Sequence, residues 1–181
     1  MLLKDYFPNL QSKYNKLSFT GIAFNSKEVK KGNIFFAIKG KKNDGHKFIN
    51  QAEKKGASIA FVQKINSKTS LKQIKVKSTL SALSSLARYY RSLLNTNIIG
   101  ITGSNGKTIV KEWLNTCLKK AYNTCKSPKS YNSQVGVGLS VIGLKQAHEI
   151  GIFEAGISQK GEMMRLKNII QPSIGIFTNI G

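Results

Sequence analysis

Apolar positions fall into short blocks, each ended by a polar or glycine-bearing turn. Leu2 to Phe7 has the spacing of a short amphipathic helix that Pro8 would break. Leu17 to Phe24 predicts a strand, with Phe19, Ile22 and Phe24 as its apolar positions. The nearly continuous run Asn33 to Ile38 predicts a strand buried on both faces. His46 to Lys55 is helical in period, through Phe48, Ile49 and Ala52, and Gly56 supplies a C-cap. Ser58 to Val62 and Ile74 to Val76 predict two more strands. Ser78 or Thr79 can cap a helix reaching Asn95 through Leu80, Leu83, Leu86, Ala87, Tyr90 and Leu94.

The second half alternates more regularly. Ile98 and Ile99 lead into the glycine-rich stretch Gly100 to Thr108, and a helical pattern runs from Lys107 to Leu118. Tyr122 to Lys126 predicts a short strand. Residues 130–138 read as a loop entering a helix near Leu139. Glu149 to Ala155 predicts a strand with Glu154 at its carboxyl end; Gly161 to Ile169 predicts a helix, and Ile174 to Thr178 a strand. This order predicts a parallel, three-layer α/β unit from residue 97 onward. No internal repeat is evident. So small a parallel sheet, stopping at Gly181 directly after a strand, reads as the front part of a longer protein with an unfinished sheet edge.

Composition adds limits. The chain has 181 residues and 40% apolar content, which suits a globular core. No apolar run approaches the ~20 residues that span a bilayer, and Met1 to Pro8 is too short and polar for a signal peptide. The two cysteines, Cys117 and Cys125, make neither a disulfide framework nor a metal-ligand spacing, and read as reduced thiols in a cytoplasmic protein. The net charge of +21 is nearly all lysine, scattered along the chain; the arginines are Arg88, Arg91 and Arg165. Arginine is the usual reader of phosphate and guanine, so specific nucleic-acid recognition is not expected. The lysine excess reads mainly as a surface bias, with a field that helps anionic nucleotide ligands, and leaves room for nonspecific nucleic-acid binding at low salt.

The chemistry concentrates at Gly100 to Thr108. Strand, glycine-rich turn, lysine, hydroxyl and helix come in the order a phosphate-binding loop requires. Glycines let backbone N–H groups turn toward an anion, and the helix start adds free donors and the positive end of its dipole. Gly103, Ser104, Asn105 and Gly106 would offer N–H groups to the phosphates of a ligand. Lys107 would reach the terminal phosphates, and Thr108 would ligate Mg²⁺. The usual Gly-x-x-x-x-Gly-Lys-Thr pattern has a glycine where this chain has Ile101. Glu154, at a strand's carboxyl end, is a second candidate for Mg²⁺. His46, after Asp44-Gly45, reads as a capping or packing residue.

With these residues in place, the chain resembles the Mur ligases. The stretch Thr102-Gly103-Ser104-Asn105-Gly106-Lys107-Thr108 is similar to that family's ATP loop, whose own variant lacks the glycine at position 101. Asn25-Ser26-Lys27, Gly32, Phe35-Phe36-Ala37, Gly40, Asp44-Gly45-His46, Phe48-Ile49, Ala52 and Gly56-Ala57 resemble its UDP-substrate domain. Relatives usually have Asp-Ser-Arg where this chain has Asn25-Ser26-Lys27, and Ser26 matches. Ser127 to Gly136 and Glu154 to Met163 are most similar to the branch that adds D-alanyl-D-alanine to a UDP-MurNAc-tripeptide. The branch adding the third amino acid is the neighbouring alternative.

The resemblance implies an architecture: a small α/β UDP-substrate domain over 1–77, a connecting helix over 78–96, and over 97–181 an incomplete phosphate-loop parallel-sheet ATPase domain. It implies ATP and Mg²⁺ as cofactors, Lys107 and Glu154 as catalytic residues, and Thr108 and Glu154 as metal ligands. It implies Ser26, Lys41, Lys42, Asn43, Asn132 and Ser133 as substrate contacts, and a cytoplasmic monomer acting on UDP-MurNAc-peptide and D-alanyl-D-alanine. The histidine, carbamylated lysine and C-terminal domain of relatives have no counterpart in these residues, so the chain alone is expected to be inactive. A non-catalytic nucleotide-binding module and a basic nucleic-acid-binding protein remain as alternatives from other classes.

Overall fold

The computed structural model describes residues 2–7, 12–14, 16–40 and 43–180. The chain forms two compact units, Met1–Leu83 and Ser84–Gly181. Each carries a four-stranded, wholly parallel sheet. The α/β class expected from the alternating pattern is therefore the observed one. Among the described residues no helix is long and apolar enough to cross a membrane.

In the first unit the strands lie in chain order: β1 (Gly21–Ala23), β2 (Asn33–Phe36), β3 (Ile59–Val62) and β4 (Lys72–Lys75). Helix α1 (Ile49–Lys54) connects β2 to β3. Every residue of β2 and β3 is buried, as their apolar runs predict for inner parallel strands. Phe36 and Phe61 stack at 4.9 Å, and Ile49 and Ala52 of α1 close the core over Phe35, Ala60 and Val62.

Two expectations here are corrected. Leu2 to Phe7 makes only a 3₁₀ turn at Leu3–Asp5, because Leu2 bridges to Ser18 and Leu3 N–H bonds to Leu17 O. Backbone spent on that pairing is not available to a helix. The same pairing removes Leu17 and Ser18 from β1, which is shorter than predicted.

His46 is a structural pin. Its Nδ1 lies 2.7 Å from Asp44 Oδ1, and its Nε2 accepts the Gln63 N–H at 2.8 Å. An amide N–H only donates, so Nε2 is bare and the ring proton sits on Nδ1. His46→Ala orphans a partly buried N–H and is expected to cost about 1–3 kcal/mol. Urea unfolding measures this; a change within error would show that water replaces the ring.

The second unit orders its strands β6 (Thr124–Lys126), β7 (Ile150–Glu154), β5 (Asn97–Thr102) and β8 (Ile174–Phe177). Helix α2 (Thr79–Ser92) leads in, and the two units divide within it. Helices α3 (Lys107–Leu118), α4 (Gln134–Ile142) and α5 (Glu162–Ile170) make the crossovers. Ile98, Phe153, Val137, Val141, Leu166 and Ile170 form one buried layer; Ile99, Ile101 and Ile152 form another, beneath Val110 and Leu114 of α3. Strand β8 is an edge, with Ile174 54% and Phe177 61% exposed.

Helix α4 begins earlier than the glycines of Val135-Gly136-Val137-Gly138 suggest. Ser133 caps it by accepting the Gly136 N–H, and a Cβ on Gly136 would lie 2.9 Å from Tyr131. Gly136 thus marks a close helix–loop approach rather than a break.

Candidate active site

The β6-β7-β5-β8 order brings residues from all four carboxyl strand ends together, where parallel sheets place their ligands. Strand β5 delivers the loop Gly103 to Gly106, β7 ends on Glu154, β6 is followed by Ser127, and β8 by Thr178 and Asn179.

Positive φ at Gly103 (134°) and Gly106 (81°) turns the loop. Gly106 precedes α3, and among the described residues no side chain caps that helix start. Its first-turn N–H groups therefore face outward as an anion site. Lys107 Nζ folds back on the loop, donating to Gly103 O at 2.5 Å and Ser104 O at 3.1 Å. An ammonium has three donors, so one remains for a phosphate.

The N–H groups of Ser104 and Asn105 are directed elsewhere. Ser104 N–H bonds to Asn179 O at 3.0 Å, and Asn105 N–H to Asn179 Oδ1 at 2.9 Å. The Thr178 hydroxyl donates to Asn105 O at 2.5 Å and has Thr102 O as a second acceptor at 3.2 Å. These two residues brace the loop from the neighbouring strand. Nothing local in the sequence marks them, because the contact depends on β5 pairing with β8.

Thr108 and Glu154 converge. Thr108 Oγ1 donates to Glu154 Oε2 at 3.1 Å and lies 3.5 Å from Ser130 Oγ. Glu154 is fully buried, and its Oε1 pairs with Lys111 Nζ at 2.8 Å. That contact is an ion pair, and among the described residues Oε1 has no hydrogen-bond partner. Lys111 is also fully buried and donates to Ser127 O at 3.1 Å and to Lys129 O. Glu112 lies 3.5 Å from Lys111 and pairs with Lys126. The Lys126 hydrogen bond, with Lys111 nearby, holds the Glu112 carboxyl below the usual range against the opposing effect of burial.

A buried carboxylate with one oxygen, Oε2, facing a hydroxyl beside a phosphate loop is a donor set suited to Mg²⁺. That ion keeps several waters and takes one or two protein oxygens together with phosphates. Among the described residues no group of three His, Cys, Asp or Glu side chains is placed to hold a metal ion.

No local motif marks Lys111, although its helical spacing carries a signal. It falls on the α3 face of Lys107, Leu114 and Leu118, at spacings of four, three and seven residues. A lysine in that stripe invites a search for its partner.

The other predicted contacts are placed less uniformly. Asn132 is half-buried and its O accepts the Gly156 N–H at 2.9 Å, which ties its loop to the end of β7. Ser133 caps α4. In the first unit, Ser26 is buried and donates to Gln51 Oε1 at 2.7 Å, while Asn43 is exposed. Both follow carboxyl ends of adjacent strands, β1 and β2. Lys41 and Lys42 lie outside the described residues.

Comparison with known proteins gives a consistent result. A profile described as "Mur ligase middle domain" matches residues 101–181, and one described as "Mur ligase family, catalytic domain" matches 18–91. The UDP-N-acetylmuramoyl-tripeptide–D-alanyl-D-alanine ligase of Bacillus subtilis is 34% identical over 170 residues, covering 93% of this chain and 37% of that protein. The crystal structure of MurF from Acinetobacter baumannii matches with a TM-score of 0.82 and 30% identity, covering 89% of this chain and 36% of that one. MurF of Thermotoga maritima, solved with ADP, gives a TM-score of 0.80 at 32% identity, over 91% of this chain and 38% of that one. The chain thus spans little more than a third of the length of these relatives. Two profiles of one family, met in consecutive order along a chain whose fold follows the same relatives, give a single conclusion: the chain belongs to the Mur ligase family.

Proposed function

We propose that these residues form the UDP-substrate and nucleotide-binding part of a ligase that adds D-alanyl-D-alanine to a UDP-MurNAc-tripeptide. The observation that carries this reading is the Thr108–Glu154 pair beside the uncapped start of α3. Glu154 is a buried acid aimed at the one hydroxyl that a phosphate loop offers to a cation. The named relatives supply the substrate class. In this reading ATP activates a substrate carboxylate as an acyl phosphate, and the amine of the dipeptide displaces phosphate.

Bound Mg²⁺ would neutralise phosphate charge between Thr108 and Glu154. The chain's own residues mostly position and neutralise. The first turn of α3 presents N–H donors to the phosphates. Lys107 adds a mobile positive charge, with Gly103 O and Ser104 O as its resting partners. Asn179 and Thr178 hold the loop shape. Asn132 and Ser133, on the segment that ends at α4, would face the tripeptide. Ser26, Lys41, Lys42 and Asn43 would face the UDP portion. The reading divides the chain at 1–77, 78–96 and 97–181, and locates the reaction in the cytoplasm, where ATP is available. Relatives are far longer, so the 181 residues alone are expected to bind ligands without turnover.

Calorimetric titration with ADP–Mg²⁺ and with UDP-MurNAc-tripeptide tests this. Both should bind. Lys107→Ala removes a charge-assisted contact of about 1.5–3 kcal/mol, so ADP affinity should fall about tenfold or more, with UDP-substrate affinity unchanged. Equal ADP binding by Lys107→Ala, or no response to the UDP-tripeptide, would refute the reading.

A further inference from the structure

Lys111 sits in the middle of α3 with no exposed surface. Lysine is almost never fully buried unless paired, and the chemistry described above does not use it. A group that only neutralised Glu154 would need one contact. Lys111 makes more: Glu154 Oε1 at 2.8 Å, Ser127 O at 3.1 Å and Lys129 O. The two carbonyls belong to the segment that carries Ser130 to within 3.5 Å of Thr108. Glu154 is thereby divided. One oxygen belongs to the ammonium, and the other points at the Thr108 hydroxyl.

We propose that Lys111 is the positioning residue of the cation site: by holding Glu154 Oε1 and the Ser127–Lys129 backbone, it leaves one carboxylate oxygen, Oε2, beside Thr108, and so selects Mg²⁺ over Ca²⁺. The inference rests on the reading of this site as a Mg²⁺–nucleotide site. Mg²⁺ demands near-octahedral geometry with few protein oxygens, whereas Ca²⁺ accepts bidentate carboxylates in a flexible shell. A carboxylate with one oxygen occupied offers a cation only the other, so the bidentate mode open to Ca²⁺ is lost. Charge alone works in the opposite direction. Removing an ammonium beside a carboxylate strengthens the pull on any cation, so a purely neutralising lysine and a positioning lysine differ in sign.

The test is equilibrium binding of ADP to the 181-residue chain, in Mg²⁺ or in Ca²⁺, for the natural sequence and for Lys111→Met. The natural sequence should bind ADP more tightly with Mg²⁺. In Lys111→Met, Mg²⁺-supported affinity should fall about tenfold or more, as when groups that orient metal ligands are removed. Ca²⁺-supported affinity should change less, so the preference collapses. Unchanged or tighter Mg²⁺-supported binding by the variant overturns the inference alone. Equal support by both ions in the natural sequence also overturns it, and that arm needs no variant to fold. Absence of ADP binding by the natural sequence with either ion overturns the site reading and the inference together.

Discussion

Lys111→Met is expected to destabilise the second unit by about 3–5 kcal/mol, the usual cost of breaking a buried ion pair from one side. Glu154 has no exposed surface and loses the cation 2.8 Å from its Oε1. The Thr108 hydroxyl remains but cannot neutralise a charge. Ser127 O and Lys129 O lose a donor in the same step. Set against a total stability of about 5–15 kcal/mol for a folded domain, this is a large loss. The double variant Lys111→Met/Glu154→Gln removes both charges and should recover much of it, because a neutral buried pair carries no ionic desolvation cost. Urea unfolding of the single and double variants decides. A single-variant loss below about 1 kcal/mol would mean that water reaches Glu154 and that the pair is worth no more than a surface one.

The second large effect is expected at Gly103. Its φ of 134° lies where L-residues are strained, and a Cβ there would lie 2.1 Å from Thr178 Oγ1 and 2.9 Å from Asn179 O. Thr178 and Asn179 are the residues that brace the loop, so neither can retreat without releasing it. Gly103→Ala should cost about 1–3 kcal/mol in backbone strain and about 1–3 kcal/mol in overpacking, and should abolish ADP binding. Gly161→Ala is the control. Gly161 also has positive φ, 82°, but among the described residues nothing lies within 4 Å of its Cβ position. It should show only the smaller backbone penalty, about 1 kcal/mol. Thermal unfolding with an ADP titration checks both. If the two substitutions behave alike, the contact with Thr178 and Asn179 is not what shapes the loop.

These predictions show where the sequence could be read and where it could not. The phosphate loop was legible because its parts are consecutive: glycines, Lys107, Thr108 and a helix need no partner from elsewhere. Glu154 was legible by position, at the end of an apolar strand. Strands β2 and β3 were legible because burial on both faces demands unbroken apolar runs.

Lys111, Thr178 and Asn179 were not legible, because their roles come from pairings between distant segments. Lys111 acquires meaning only when α3 packs beside β7, and Asn179 only when β8 lies against β5 rather than against β7, its predecessor in the chain. Helix α4 starts at Gln134 rather than near Leu139 for a related reason. Gly136 serves a close contact with Tyr131, which composition alone reads as a loop. The short N-terminal helix failed because a bridge to Ser18 claimed its backbone.

The most direct test of the central claim is a crystal structure of this chain with ADP and Mg²⁺. The arrangement predicts the terminal phosphate at Lys107 and the first turn of α3. It predicts Mg²⁺ bound by Thr108 Oγ1 and Glu154 Oε2 at about 2.0–2.1 Å, with Lys111 still on Oε1. A nucleotide bound elsewhere, or an ion that touches neither Thr108 nor Glu154, would contradict it.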